Sequence, residues 1–389
     1  MRGKVALRDG IDAGEARSVA SFLPLHGSDL QVKPPRFSRP VQVGAFGMVA
    51  SDATKRYVSG SDAGALLKGI AWEACKSSAL PLNLAFGFDY EAAVRDEEND
   101  GGRLSTPLTP ILRCLAEESS SGAFRSLLER VNFVTFRNNL NKIMNTVYNP
   151  SNEWTIGVHR PFDGSPTIFL GIQPGSRRSS NYRALRGAFC GRKFEQLMLA
   201  EPSSSFSEYC AVVKASLGNH RIIMSGEIDG KDVNTDEWVE LKTTQEPANE
   251  RSNDFFKRCK LSKWWVQSFL VGCPNIAIGY LDEGDLLRVE RVKTLHLPKM
   301  SQDAFDYRRI LTFADGVLTW IARTLATTTA PHQLRYFPAE KKMRLRPMPA
   351  ASTRHVLSEC DLKTVSDLLK VPSCRSSSSQ ERARKRQKR

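Results

Sequence analysis

From Trp154 onward the chain is written in short β-rich runs, first Trp154 to Val158 and then Thr167 to Ile172, parted by the turn sequence Asp163-Gly164-Ser165-Pro166. A hairpin that opens a sheet limits the possible folds more than any other feature here. A helical stretch from Tyr182 to Ala200 follows, with Leu185, Phe189, Phe194, Leu197 and Met198 at three- and four-residue spacings in spite of Gly187 and Gly191. Next come strand-like runs at Arg221 to Asp229 and Glu237 to Thr243, a helix from about Asp254 to Leu270, a strand at Asn275 to Leu281 and a helix from Gln302 to Thr327. That order specifies a mixed α/β (α+β) class, with a central mixed, largely antiparallel sheet flanked by helices.

Upstream, Thr109 to Glu117 and Gly122 to Val131 read as helices, residues 98 to 107 read as an exposed loop, and apolar segments such as Val41 to Val49 begin after Lys33-Pro34-Pro35. Nothing repeats internally. The expected organisation is a loosely ordered start over 1–34, one domain over 35–330, and an extension over 331–389 that loses periodicity and ends in a disordered tail. That tail, Arg375 to Arg389, sets seven Lys and Arg against Glu381 and is dense enough for a nuclear import signal, with a nonspecific RNA contact as the other reading. The expected compartment is therefore the nucleus, with the cytoplasm left open.

A composition of 41% hydrophobic and 25% charged residues suits a globular chain able to bury a core. The sequence has no apolar run of membrane-spanning length and no signal-peptide pattern, so a membrane or secreted protein is not expected. Its eight cysteines form no Cys-x-x-Cys pair and its six histidines lie far apart, which leaves any metal to oxygen ligands and favours magnesium, manganese or calcium. The net charge of +14 points to a polyanionic partner.

Chemistry concentrates in two segments. In Gly226-Glu227-Ile228-Asp229-Gly230 the two-residue repeat of a strand turns Glu227 and Asp229 to one face, and the flanking glycines suit the close approach of a ligand. In Trp238-Val239-Glu240-Leu241-Lys242 the same rule pairs Glu240 with Lys242 and leaves Val239 and Leu241 opposite. If these strands are neighbours, the carboxylates repel one another, and a hard divalent ion is their natural companion. Asp followed by Glu-x-Lys is the arrangement of a large class of metal nucleases, although by itself it also arises by chance in charged proteins. Surface acids and an ordinary same-face ion pair remain the competing reading of these residues alone.

The order of motifs adds to this pattern. Phe189-Cys190-Gly191-Arg192-Lys193-Phe194-Glu195, Ser225 to Asp229, Glu240-Leu241-Lys242-Thr243-Thr244 and Lys263 to Leu270 resemble, in order and spacing, the DXO family of decapping exoribonucleases, which includes fungal proteins that accompany the nuclear 5′-3′ exoribonuclease. Phe136 to Leu140 with Lys142-Ile143 and Thr146 to Tyr148 looks like that family's arginine motif, and the resemblance spans roughly residues 35 to 325.

The resemblance implies a catalytic domain with two bound Mg2+ or Mn2+ ions. Glu195, Asp229 and Glu240 would be direct ligands, Glu227 would serve a second ion or its waters, and the carbonyl of Leu241 would complete a shell. Lys242 and Gln267 would flank the scissile phosphate, and Arg137 would contact RNA phosphate or the 5′-terminal group. The implied activity is hydrolysis at RNA 5′ ends, whether triphosphate, incompletely capped or NAD-capped, in some members followed by 5′-3′ degradation. A weakly catalytic partner of a larger 5′-3′ exoribonuclease is the alternative. Arg192, where the family usually has an aromatic, and Gly230 depart from the pattern beside the ligands without replacing them. Trp264, Trp265 and Phe269 are expected to pack rather than to stack on bases, and the histidines to be structural.

Overall fold

The computed structural model describes residues 20–22, 33–51, 54–73, 80–100, 108–118, 130–173, 181–201, 207–348 and 356–369. Among the described residues sixteen strands run in chain order: β1 (Ala20–Phe22), β2 (Val41–Ser51), β3 (Thr54–Ser59), β4 (Gly69–Ile70), β5 (Leu82–Asn83), β6 (Phe133–Phe136), β7 (Trp154–His159), β8 (Ile168–Ile172), β9 (Ser207–Leu217), β10 (His220–Ile228), β11 (Gly230–Asp232), β12 (Trp238–Gln245), β13 (Asn275–Asp282), β14 (Asp285–Lys293), β15 (His332–Phe337) and β16 (Lys342–Pro347). They form two sheets rather than one. The larger has the order β1-β16-β15-β7-β8-β6-β10-β9-β2-β3, and the smaller β4-β11-β12-β13-β14-β5. Antiparallel pairs dominate, with parallel steps at β10/β6, β6/β8, β11/β4 and β12/β13.

The hairpin expected around Asp163-Gly164 is present as antiparallel β7 and β8. β9, which no alternation announces, is almost wholly buried because Ala211, Val212 and Val213 pack on both of its faces. It turns into β10 through Gly218 at φ +55, a left-handed position that suits glycine. β15 pairs with β7 and with β16, so the sheet continues past the expected boundary at residue 330. The helix Glu359–Leu369 likewise lies where periodicity was expected to fade, and its Val365 joins a core cluster.

The expected helix from Asp254 to Leu270 is three pieces: Glu250–Phe255, a π-helical turn Phe256–Lys260, and Leu261–Val271. Periodicity is blind to the extra residue of a π turn, which lets Phe256 and Cys259 reach the interior. The helix expected to begin at Gln302 begins at Tyr307, capped by Asp306, because Gln302 and Asp303 adopt positive φ. Helix Tyr90–Asp100 takes in residues 98–100 of the expected loop. The rest of that loop, the helix expected at Gly122 and most of the start and tail lie outside the described residues.

Three apolar clusters order the layers. One packs Leu140, Trp265, Leu270, Val317 and Leu318 of three helices between the sheets, against Met224 of β10 and Ile276 and Ile278 of β13. A second covers the far face of the larger sheet with Ile111 and Leu112 of helix Thr109–Glu118. The third packs Cys190, Phe194 and Met198 of helix Tyr182–Met198 on Val239, Leu241 and Ala277 of the smaller sheet. Both faces of β13 are therefore buried, as befits a strand with a parallel partner in a covered sheet.

Candidate active site

The two sheets meet at Asp229. β10 ends at Ile228, and after that single residue the chain enters the other sheet as β11, where Gly230 stands opposite Val239 of β12. Glu227 and Glu240 thus lie in different sheets, and their strands are linked through this crossing rather than paired side by side. Asp229 is fixed there by its side chain, whose Oδ2 accepts the Leu241 N–H at 2.6 Å.

Glu195, on the fourth turn of helix Tyr182–Met198, joins Glu227, Asp229 and Leu241 in the wall of one cleft of about 250 Å³. Lys68, Arg192, Gln196, Glu208 and Tyr209 share that wall. Behind it, Glu240 is 1% exposed and accepts three donors: Lys242 Nζ at 2.6 Å, Gln267 Nε2 at 2.5 Å and Arg137 Nη1 at 3.2 Å. Lys242 Nζ also stands 3.9 Å from Asp229 Oδ2, and so ties the buried knot to the cleft. Arg137, at the start of helix Arg137–Asn145, donates as well to the Gln267 carbonyl at 3.3 Å.

The alternation rule holds at β12: Glu240 and Lys242 share one side, while Val239 and Leu241 join the apolar cluster on the other. The glycines serve a different end from the one expected. A Cβ at Gly226 would meet Arg137 Nε at 2.9 Å, and one at Gly230 would meet the Lys68 carbonyl at 2.7 Å. Protein, rather than ligand, makes the close approach. Trp264 and Trp265 are buried, with Trp265 stacked on Phe269 at 4.3 Å, and His220 bonds Thr319 at 2.9 Å away from the cleft.

Burial together with the neighbouring Glu208 raises the Glu227 carboxyl to about 7, against the pull of Arg137. Burial and Glu240 raise Asp229 to about 8, with Lys242 opposing. For Glu240 burial also works upward, but Lys242 and Arg137 outweigh it and hold the group below its ordinary value. Burial raises Glu195 too, in spite of Lys242, Lys68 and Arg192. The cleft therefore has more acid than its own cations relieve.

Among the described residues no three Asp, Glu, His or Cys side chains stand close enough to enclose one ion. The donor set nonetheless fits a hard divalent cation, because it is all oxygen and short of positive charge. The side-chain carboxylates of Glu195 and Glu227 hydrogen-bond no other described residue, so both can rotate toward an ion.

Lys68 and Glu208 were not singled out from sequence. Lys68 precedes the two-residue strand β4 and belongs to no pattern. Glu208 stands at the head of β9, where a polar Ser207-Glu208 step before a long apolar run is the one available sign.

Residues 39–360 match a family model described as the RAI1-like PD-(D/E)XK nuclease. The decapping and exoribonuclease protein of Homo sapiens is 30% identical over 334 residues, which cover 77% of this chain and 78% of that one. The decapping nuclease RAI1 of Aspergillus fumigatus is 32% identical over 167 residues, 36% of this chain and 46% of the relative. Among solved structures, Scheffersomyces stipitis Rai1 in complex with (3′-NADP)+ and calcium superposes with a TM-score of 0.70 at 19% identity, covering 87% of this chain and 98% of that one. Candida albicans Rai1 in complex with pU5-Mn2+ gives 0.68 at 18% identity over the same shares. At such identities these two likenesses establish the fold.

Proposed function

The chain belongs to the RAI1-like PD-(D/E)XK nuclease family, and from that premise we propose that its cleft is a divalent-metal-dependent hydrolase site acting on RNA 5′ ends. The observation that carries this reading is the convergence of Glu195, Glu227 and Asp229 in one cleft, with Lys242 bridging from Glu240 to Asp229. Relatives named for decapping and exoribonuclease activity, and neighbours that hold pU5 with manganese or (3′-NADP)+ with calcium, support a 5′-phosphate or dinucleotide end as the substrate class.

In this reading Glu195, Asp229 and Glu240 would hold the ion, Glu227 would serve a second ion or its waters, and the Leu241 carbonyl would add a ligand. Magnesium or manganese bound there supplies an acidified water and positive charge beside the phosphate. Lys242 places its ammonium where negative charge develops on the phosphate during hydrolysis. Arg137 keeps Glu240 ionised and aimed, Gln267 fixes the same carboxylate, and Lys68 and Arg192 draw the phosphates into the cleft. The acids expected of a hydrolase are all present, which favours an enzyme over a stabilising partner that has lost its chemistry.

Purified protein incubated with triphosphate-, cap- and NAD-ended RNAs in magnesium or manganese should release a 5′ fragment from at least one of them. A Glu240→Ala, Asp229→Ala double variant should release none, and equal behaviour of the two proteins on every substrate would overturn the assignment. We further propose that the basic tail Arg375 to Arg389 directs nuclear import and that a nuclear 5′-3′ exoribonuclease is the protein partner. Tail deletion followed by imaging tests the first, and co-purification the second.

A further inference from the structure

Helix Tyr182–Met198 has three faces with three different surroundings. Cys190, Phe194 and Met198 are buried against the smaller sheet, and Arg192 and Glu195 line the cleft. At about 100° per residue, Tyr182, Arg186, Phe189 and Lys193 fall within a third stripe about 60° wide and about 16 Å long. Gln196, which lines the cleft, lies next to that stripe on the helix surface.

Aromatic and basic side chains alternate along this stripe, and more aromatics are gathered against it. Phe88 packs on Tyr182 and on Phe189, each with ring centroids 5.5 Å apart. The Lys193 ammonium sits 5.6 Å over the Phe189 ring. Tyr182 is 55% exposed, and Phe86, at the turn before Phe88, is 85% exposed. The neighbouring Ala85 and the Arg186 guanidinium both crowd Gly284, which sets that turn beside the stripe. Large rings held in water next to a cleft mark a surface that awaits a partner.

The charges indicate which partner. Arg186 donates to the backbone carbonyl of Glu283, and among the described residues no carboxylate pairs with its charge. Lys193 has no ion pair among the described residues. Acids flank the stripe too: Asp89 accepts the Ala92 N–H at 3.0 Å, Glu91 pairs with Arg95 at 3.9 Å, and Glu283 meets Arg186 through its backbone carbonyl. Rings that accept any base on their faces, interleaved with cations for the backbone, are the equipment for binding a single strand without sequence preference.

We propose that this stripe, together with Phe86, is a track for the single-stranded RNA that follows the 5′ end held in the cleft. The inference rests on the RNA 5′-end hydrolase reading above. Its test uses the full chain and a Phe86→Ala, Tyr182→Ala, Lys193→Ala variant, all three positions lying outside the cleft lining. Fluorescence anisotropy in EDTA measures binding of a 20-nucleotide 5′-monophosphate RNA, and hydrolysis of a 5′-phosphorylated dinucleotide is followed separately with manganese.

The variant should bind the long RNA about tenfold or more weakly, since each lost base–ring stack alone carries much of such a factor. It should hydrolyse the dinucleotide at the wild-type kcat/KM and melt at the wild-type temperature. Unchanged affinity for the long RNA would overturn the track and leave the hydrolase reading intact, as would a parallel loss on the dinucleotide. Track-dependent binding by a wild-type protein that hydrolyses no RNA end would support the track while the hydrolase reading failed.

Discussion

Glu240 holds the site together as well as serving it, so Glu240→Gln should cost stability and activity together. The amide keeps the shape of the side chain and can still accept from Gln267 and Lys242 on Oε1. It then turns an NH2 group toward Arg137 Nη1, which now donates to Oε2 across 3.2 Å. Two donors face each other, and the Arg137 and Lys242 charges, with side chains 10% and 20% exposed, lose the anion between them. Removing one member of a buried ion cluster costs about 3–5 kcal/mol. At about 2 °C per kcal/mol for a chain of this size, the melting temperature should fall by about 6–10 °C. Glu195→Gln is the control: its carboxylate opens on the cleft and bonds no described residue, so its stability should stay within about 0.5 kcal/mol of wild type. Calorimetry of both variants in EDTA, beside turnover of a triphosphate-ended RNA, separates the two effects. Both should lose activity by about a hundredfold or more, while only the first loses stability. A Glu240→Gln protein that melts within a degree or two of wild type would refute the argument.

Manganese or magnesium should raise the melting temperature of the wild type, by an amount equivalent to about 2.7 kcal/mol at a hundred times its Kd, and should do so far less in Asp229→Asn. Equal thermal shifts in the two proteins would count against Asp229 as a ligand. Gly226→Ala should lower turnover without touching any acid, because the new Cβ meets Arg137 and Val271 at 2.9 Å and must push them aside. The cost in stability should be about 1–3 kcal/mol, readable by urea denaturation. His159, His220 and His332 are each held below the ordinary imidazole range by burial. Protons then bind the unfolded state first as pH falls through its value of about 6.5, so these groups withdraw stability below that point. NMR titration should show the three rings still neutral where the free imidazole is half protonated, and ordinary titration of all three would contradict the burial.

Much of the site was legible because strands obey a two-residue rule whatever sheet they join. Glu240 with Lys242, and Val239 with Leu241, could be assigned to opposite sides from β12 alone. The pairing of strands was not legible, because the crossing at Asp229 is a property of one residue between two strands and leaves no periodic trace. The motif also pointed to Arg137 but not to its position. The sequence suggested a group reaching for phosphate, whereas the folded chain sets its guanidinium behind Glu240, a placement that depends on the missing Cβ of Gly226. β9 escaped notice for the opposite reason to the paired acids: a strand buried on both faces has no alternation to show.

The single-residue step at Asp229 makes the reaction centre a joint between two slabs that share one layer of helices. Glu227 rides on one slab, while Glu195 and Glu240 ride on the other. Small slippage between the slabs changes the spacing of Glu227 to both Glu195 and Glu240 at once, even with each slab internally whole. Gentle heating or mild urea should therefore silence the enzyme before either sheet frays, and a cation caught between the slabs should act as a clasp that delays that silence.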